Sequence, residues 1–129
     1  MSGLMLFLLW VAVAQPEAVR PTSSPCENPA PEDARPYTLC LAETSFDQAE
    51  ASLNAQWQIT LAHARAQGGA GAERRLHKKQ RQWLRARDRE CSEFARTTPV
   101  TQTSRNELSC SAQLDERRTA YLRRLARLK

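Results

Sequence analysis

The chain has 129 residues, of which 26% are charged, and a formal net charge of +5, which is enough for one small domain and no more. Beyond residue 14, 41 of the remaining 115 residues are hydrophobic, 17 of these are alanine, and Val19, Ile59 and Val100 are the only β-branched apolar side chains. Strands draw on Val, Ile and aromatic residues, so this composition excludes a sheet protein and leaves an all-α fold.

Residues 4–14 (LMLFLLWVAVA) form an unbroken run of 11 apolar residues that closes on Ala12-Val13-Ala14. As a helix the run spans about 16 Å, short of the ~30 Å hydrocarbon core of a bilayer. It predicts a secretory signal peptide over residues 1–14, cut after Ala14, rather than a membrane anchor. Residues 15–36 carry six of the seven prolines (Pro16, Pro21, Pro25, Pro29, Pro31, Pro36) and read as an extended, Pro-rich leader. Cys26 lies in this leader after Ser24-Pro25, away from the apolar run and without a lipobox, so a soluble mature protein is expected. Pro36 suits the first turn of the helix that follows.

From Tyr37 to about Gln67 the apolar positions step by three and four through Leu39, Ala42, Phe46, Ala49, Leu53, Trp57, Leu61 and Ala64, which predicts an amphipathic helix. Gly68-Gly69-Ala70-Gly71 should end it, because glycine supplies the left-handed cap. No Lys-Ser/Thr follows, so the cluster reads as a turn and not a phosphate loop. A second helix is expected from about Ala72 to Arg96, with the stripe Leu76, Gln80, Trp83, Arg87, Cys91, Phe94. Residues 97–103 (TTPVTQT) break it, and Ser104 with Glu107 has the spacing of a capping box for a third helix striped by Leu108, Ala112, Leu114, Arg118, Tyr121, Leu122, Leu125 and Leu128. The expected fold is a small disulfide-stapled three-helix bundle over residues 37–129, a long antiparallel hairpin plus a C-terminal helix.

Cys26, Cys40, Cys91 and Cys110 are spaced 14, 51 and 19 residues apart, without a Cys-x-x-Cys pair, and His63 and His77 lie near none of them. Disulfides in an exported chain are expected, and no metal or other cofactor. With the hairpin turning between residues 69 and 70, Cys40 lies level with residue 99, eight residues beyond Cys91. That offset is about 12 Å, more than the ~7 Å a disulfide tolerates between Cα atoms. Cys40–Cys91 and its complement Cys26–Cys110 are thereby disfavoured. Two pairings stay open. Cys26–Cys40 with Cys91–Cys110 is preferred because each closes a short loop; the rival is Cys26–Cys91 with Cys40–Cys110.

No nucleophile, zinc-hydrolase or phosphate-loop motif is present, so the expectation is a binding protein and not an enzyme. Acidic pairs such as Glu32-Asp33 and Asp115-Glu116 sit in loop or charged-helix settings with nothing to raise a pKa, and His63 and His77 read as solvated. Charge is split along the chain, net −4 over residues 15–72 and net +9 over residues 73–129. A basic half points to an anionic surface or an acidic partner, or simply to solvated outer helix faces. Export speaks against nucleic acid.

The segment Gln80-Arg81-Gln82-Trp83-Leu84-Arg85-Ala86-Arg87-Asp88-Arg89-Glu90-Cys91 resembles the Q-R-x-W-x-x-x-R-D-x-x-C signature of LprI-like lysozyme-inhibitor domains. Cys40, Ala49-Glu50 and Leu53-Asn54 upstream, and Cys110, Leu114, Arg118 and Leu122 downstream, extend the similarity over residues 26–122. Departures from the pattern are Glu50 for Asp, Trp57 near a common Tyr, Asp115 for Thr, and a Cys91–Cys110 loop without Gly-Gly-Ser. The resemblance implies a small exported helical protein that inhibits a lysozyme by protein contact. The alternative is a non-inhibitory cell-envelope protein whose basic helices bind an anionic surface or acidic partner. Within the motif, Trp83 should anchor the hairpin core. Gln80 and Arg87 lie one turn to either side of it, and the hairpin register makes Glu50 the expected partner of Arg87. Gln80, Arg87 and Asp88 read as an internal polar clamp, or alternatively as partner contacts.

Overall fold

Helix α1 (Tyr37–Arg96) begins where proline runs out, and Pro36 is its N-cap, with a carbonyl that accepts from the Leu39 and Cys40 amides at 2.9 and 3.1 Å. The computed structural model describes residues 26–27 and 36–128. The expected signal peptide and nearly all of the expected leader therefore lie outside the described residues. A 3₁₀ turn at Val100–Gln102 and helix α2 (Thr103–Leu125) complete the fold, which is all-helical, with no strand among the described residues.

Helix α1 is two arms joined without a loop. Gly69 alone leaves helical geometry, at φ 63 and ψ −160, a region that L side chains rarely enter. Gly68 is needed for another reason: a Cβ there would meet the Ala72 Cβ at 2.7 Å. The chain doubles back across this bend. Trp57 and His77 touch edge to face with ring centroids 5.2 Å apart, and Arg65 grips Glu73 through two bonds of 2.6 Å. Two helices are thus counted where three were expected, because the glycine run bends the helix in one residue instead of opening a turn. The arms are called the acidic arm (37–68) and the basic arm (70–96) below.

At the other end the threonines of the expected breaker do the capping. Thr97 and Thr98 hydroxyls donate to the Phe94 and Ala95 carbonyls at 2.7 and 2.6 Å, ending the basic arm. The Ser104–Glu107 capping box does not form. Helix α2 starts earlier, with Gln102 as its N-cap and no side-chain cap bond, because the preceding 3₁₀ turn already directs the chain into the helix.

Two disulfides staple the ends, Cys26–Cys40 and Cys91–Cys110, with Cα–Cα distances of 5.7 and 5.5 Å. This is the short-loop pairing. Loops of this size are worth about 3 kcal/mol each when closed. Helix α2 packs along α1 with Leu122, Asp115 and Cys91 at 0% exposure. Its end is tied to the acidic arm, since His63 Nε2 lies 2.7 Å from the Leu128 carbonyl. His63 and His77 are therefore packed against neighbours and not simply solvated.

Candidate functional site

The basic arm carries the whole motif, and helical phase divides it. Gln80, Arg87 and Cys91 fall on one face and are 7%, 8% and 0% exposed. Trp83 shares that face but is only half-buried, so it does not anchor the core as expected. Arg81 and Asp88 point outward.

Helix α2 supplies the partners, and the Cys91–Cys110 bond sets its register. Arg87 lies four residues before Cys91, and Asp115 five after Cys110, which brings the two opposite one another. Arg87 Nη1 donates to Asp115 Oδ1 at 2.8 Å, while its Nε and Nη2 reach Asp88 Oδ1 at 2.8 and 2.7 Å. The partner of Arg87 is thus Asp115 and not Glu50: its guanidinium touches the acidic arm only through the Phe46 ring, and its bond across to another helix goes to α2. Burial would lower the Arg87 pKa, but the bonds to Asp115 and Asp88 outweigh it and hold it above its usual value. Burial dominates at Asp115 and lifts its carboxyl above the ordinary range despite Arg87. Asp115 Oδ2 is buried without a hydrogen-bond partner, which contributes to that rise. Asp115 was expected to be unremarkable in pKa, and its interior position overturns that.

Further along, Arg118 Nε donates to Gln80 Oε1 at 2.9 Å. The two arginines and three aromatic rings alternate. Arg118 stands 4.7 Å from the Tyr121 ring and 5.1 Å from Trp83; Arg87 stands 5.7 Å from Trp83 and 5.9 Å from Phe46. Each lies within the ~6 Å at which a cation is drawn to a ring face. Burial lowers the Arg118 pKa. The column closes one side of the core with flat groups, Arg87 buried among them and Phe46, Trp83 and Arg118 half-buried.

Further polar groups lie in the interior among Ala49, Leu53, Leu76, Ala112 and Leu122. The Thr60 hydroxyl lies 2.9 Å from the Gln56 carbonyl and 3.0 Å from the Leu122 carbonyl, and Gln56 Nε2 donates to it at 3.3 Å. The Thr119 hydroxyl donates to the Asp115 carbonyl at 2.8 Å. Gln56, Thr60, Ser111, Asp115 and Thr119 were not read as interior from the sequence. They were visible as polar residues in helical phase with Leu53 and Leu122.

Two regions present side chains outward. At the loop end Phe94 is 52% and Val100 92% exposed, and Phe94 lines a groove with Ser109, Gln113, Leu114 and Arg117. Along the outer side of the basic arm stand exposed arginines and lysines. No group of three or more His, Cys, Asp or Glu able to hold a metal exists among the described residues. No helix among them is long and apolar enough to cross a membrane. The family model described as "Lysozyme inhibitor LprI" matches residues 26–122. No curated protein and no solved structure matches the chain.

Proposed function

The chain belongs to the LprI lysozyme-inhibitor family, and on that premise we propose that it is an exported, non-catalytic binding protein that blocks a lysozyme by protein–protein contact. The observation that carries this reading is the extent of the match. It runs from Cys26 to Leu122 and so takes in both disulfides, the bend and every buried residue among those described. Residues 1–14 act as the signal peptide, residues 15–36 as a leader pinned by Cys26–Cys40, and the oxidising periplasm or exterior keeps both disulfides closed. The two arms and α2 work as one three-helix unit.

In this reading the motif residues Gln80, Trp83, Arg87, Asp88 and Cys91 hold the fold, and the loop end makes the contact. Phe94 and Val100 offer apolar anchors of the kind that dominate interfaces, on a segment that Cys91–Cys110 holds in place, so less order is lost on binding. The net charge of +5 gives no steering toward a strongly basic lysozyme and favours a neutral or acidic one.

The test is a titration of the purified chain against lysozymes of several types, with cell-wall lysis as readout. Inhibition that saturates at a fixed ratio with at least one lysozyme is expected. A Phe94→Asp, Val100→Asp variant should lose it at least tenfold in potency without a change in melting temperature, which is about 1.4 kcal/mol of binding. A chain that slows no lysozyme would leave the cell-envelope reading in its place.

A further inference from the structure

The outward row of the basic arm runs Arg74, Lys78, Arg81, Arg85, Arg89, Ser92, Arg96, with steps of three and four residues. All six cations are exposed, on the side of the arm away from Leu76, Gln80, Arg87, Cys91 and Ala95. At 1.5 Å per residue the row is about 33 Å long. None of the six makes an ion pair among the described residues. The nearby acids do not pair with it: Glu73 is held by Arg65, Asp88 at the row's edge is held by Arg87, and Glu90 and Glu93 lie on its flanks.

The fold has no use for this order. Arg74–Lys78, Arg81–Arg85 and Arg85–Arg89 are like-charge pairs four residues apart, which weaken a helix slightly. The row has no aromatic residue and no cleft, so it lacks the anchors of a protein interface and the stacking rings of a single-strand nucleic-acid site. Cationic along most of its length, it matches a flat sheet of phosphates. We propose that the outer face of the basic arm docks on the surface of an anionic lipid bilayer, lying along it without insertion. Attraction of this kind needs only that the cations come within a Debye length of the headgroups, and salt screens it. Neither Phe94 nor Val100 takes part, so the inference stands apart from the lysozyme reading.

Co-sedimentation of the purified chain with vesicles tests it. Binding is expected to phosphatidylcholine vesicles containing phosphatidylglycerol, to fall as salt rises, and to be absent with phosphatidylcholine alone. Each basic residue near such a surface strengthens binding by about fivefold, so Arg81→Gln, Arg85→Gln, Arg89→Gln together should weaken it about a hundredfold. These side chains are exposed and unpaired, so the variant should melt as the parent does. Arg117→Gln, Arg123→Gln, Arg124→Gln on α2 removes equal charge and should cost less than fivefold. Equal losses from the two triples would overturn the proposal, since net charge and not the row would then be responsible. Binding to soluble polyphosphate with no binding to vesicles would also overturn it.

Discussion

Arg87 and Arg85 stand two residues apart on the same arm and lead opposite lives. Arg87 is 8% exposed, gripped by Asp115 and Asp88, and stacked between Trp83 and Phe46. Arg85 is exposed and part of an unpaired row. The inner face of the basic arm thus spends its polar groups on the fold, and the outer face leaves them available. Position on the helix, and not residue type, decides which arginines are structural. A motif rich in arginine can therefore mark architecture on its inner face.

The sharpest way to break this contrast is at Asp115. Asp115→Ala leaves Arg87 buried with only the exposed Asp88, and should destabilise by about 3–5 kcal/mol in urea unfolding, as a broken buried pair does. The Arg87→Met, Asp115→Leu double variant should recover most of that loss, because well-packed apolar residues replace a buried pair at little cost. Trp83 should give a smaller effect. It is half-buried between Arg87 and Arg118, so Trp83→Ala should cost about 2 kcal/mol, below the ~3–5 kcal/mol of a fully buried aromatic. A loss of 4 kcal/mol or more (about the fully buried figure) would make Trp83 the core anchor after all.

The smallest effect is a pH dependence. Burial lifts the Asp115 carboxyl above its ordinary 3.8, so the folded chain takes up a proton there more readily than the unfolded chain. This contribution to stability is complete below the ordinary value and is lost as pH rises through the raised one. Relative to Asp115→Asn, the parent should therefore gain stability as pH falls from about 7 to about 4. A relative loss would mean that Arg87 outweighs burial. The half-buried Glu73 runs the other way, because its bond to Arg65 lowers its pKa and its contribution fades on acidification.

Much of the fold was legible. The all-α class followed from the scarcity of β-branched residues, and the reversal at Gly68–Gly71 followed from glycine's backbone freedom. Hairpin register disfavoured one disulfide pairing, and chain entropy preferred the short-loop pairing over a rival that stayed open. The interior was less legible, because it sets polar residues that an apolar stripe does not reveal among small apolar ones. The stripe on the acidic arm was expected to pass through Trp57 and Leu61, and it passes through Gln56 and Thr60 instead. On α2, Tyr121 and Leu128 were expected inside, yet they are 36% and 63% exposed, and Asp115 and Thr119 hold the inner positions. Asp115 could have been found from Cys91–Cys110, since counting back to Arg87 and on from Cys110 brings the two level. The hairpin register pointed to Glu50 because it considered one neighbour of the basic arm and not the second.

Unfolding Arg87→Ala and Arg85→Ala side by side in urea tests the division between the two faces most directly. Arg87→Ala strands a buried carboxylate and should lose about 3–5 kcal/mol, whereas Arg85→Ala should stay within about 0.5 kcal/mol of the parent. Comparable losses at the two positions, or a near-zero loss at Arg87, would contradict the assignment of the inner face to the fold and the outer face to a partner.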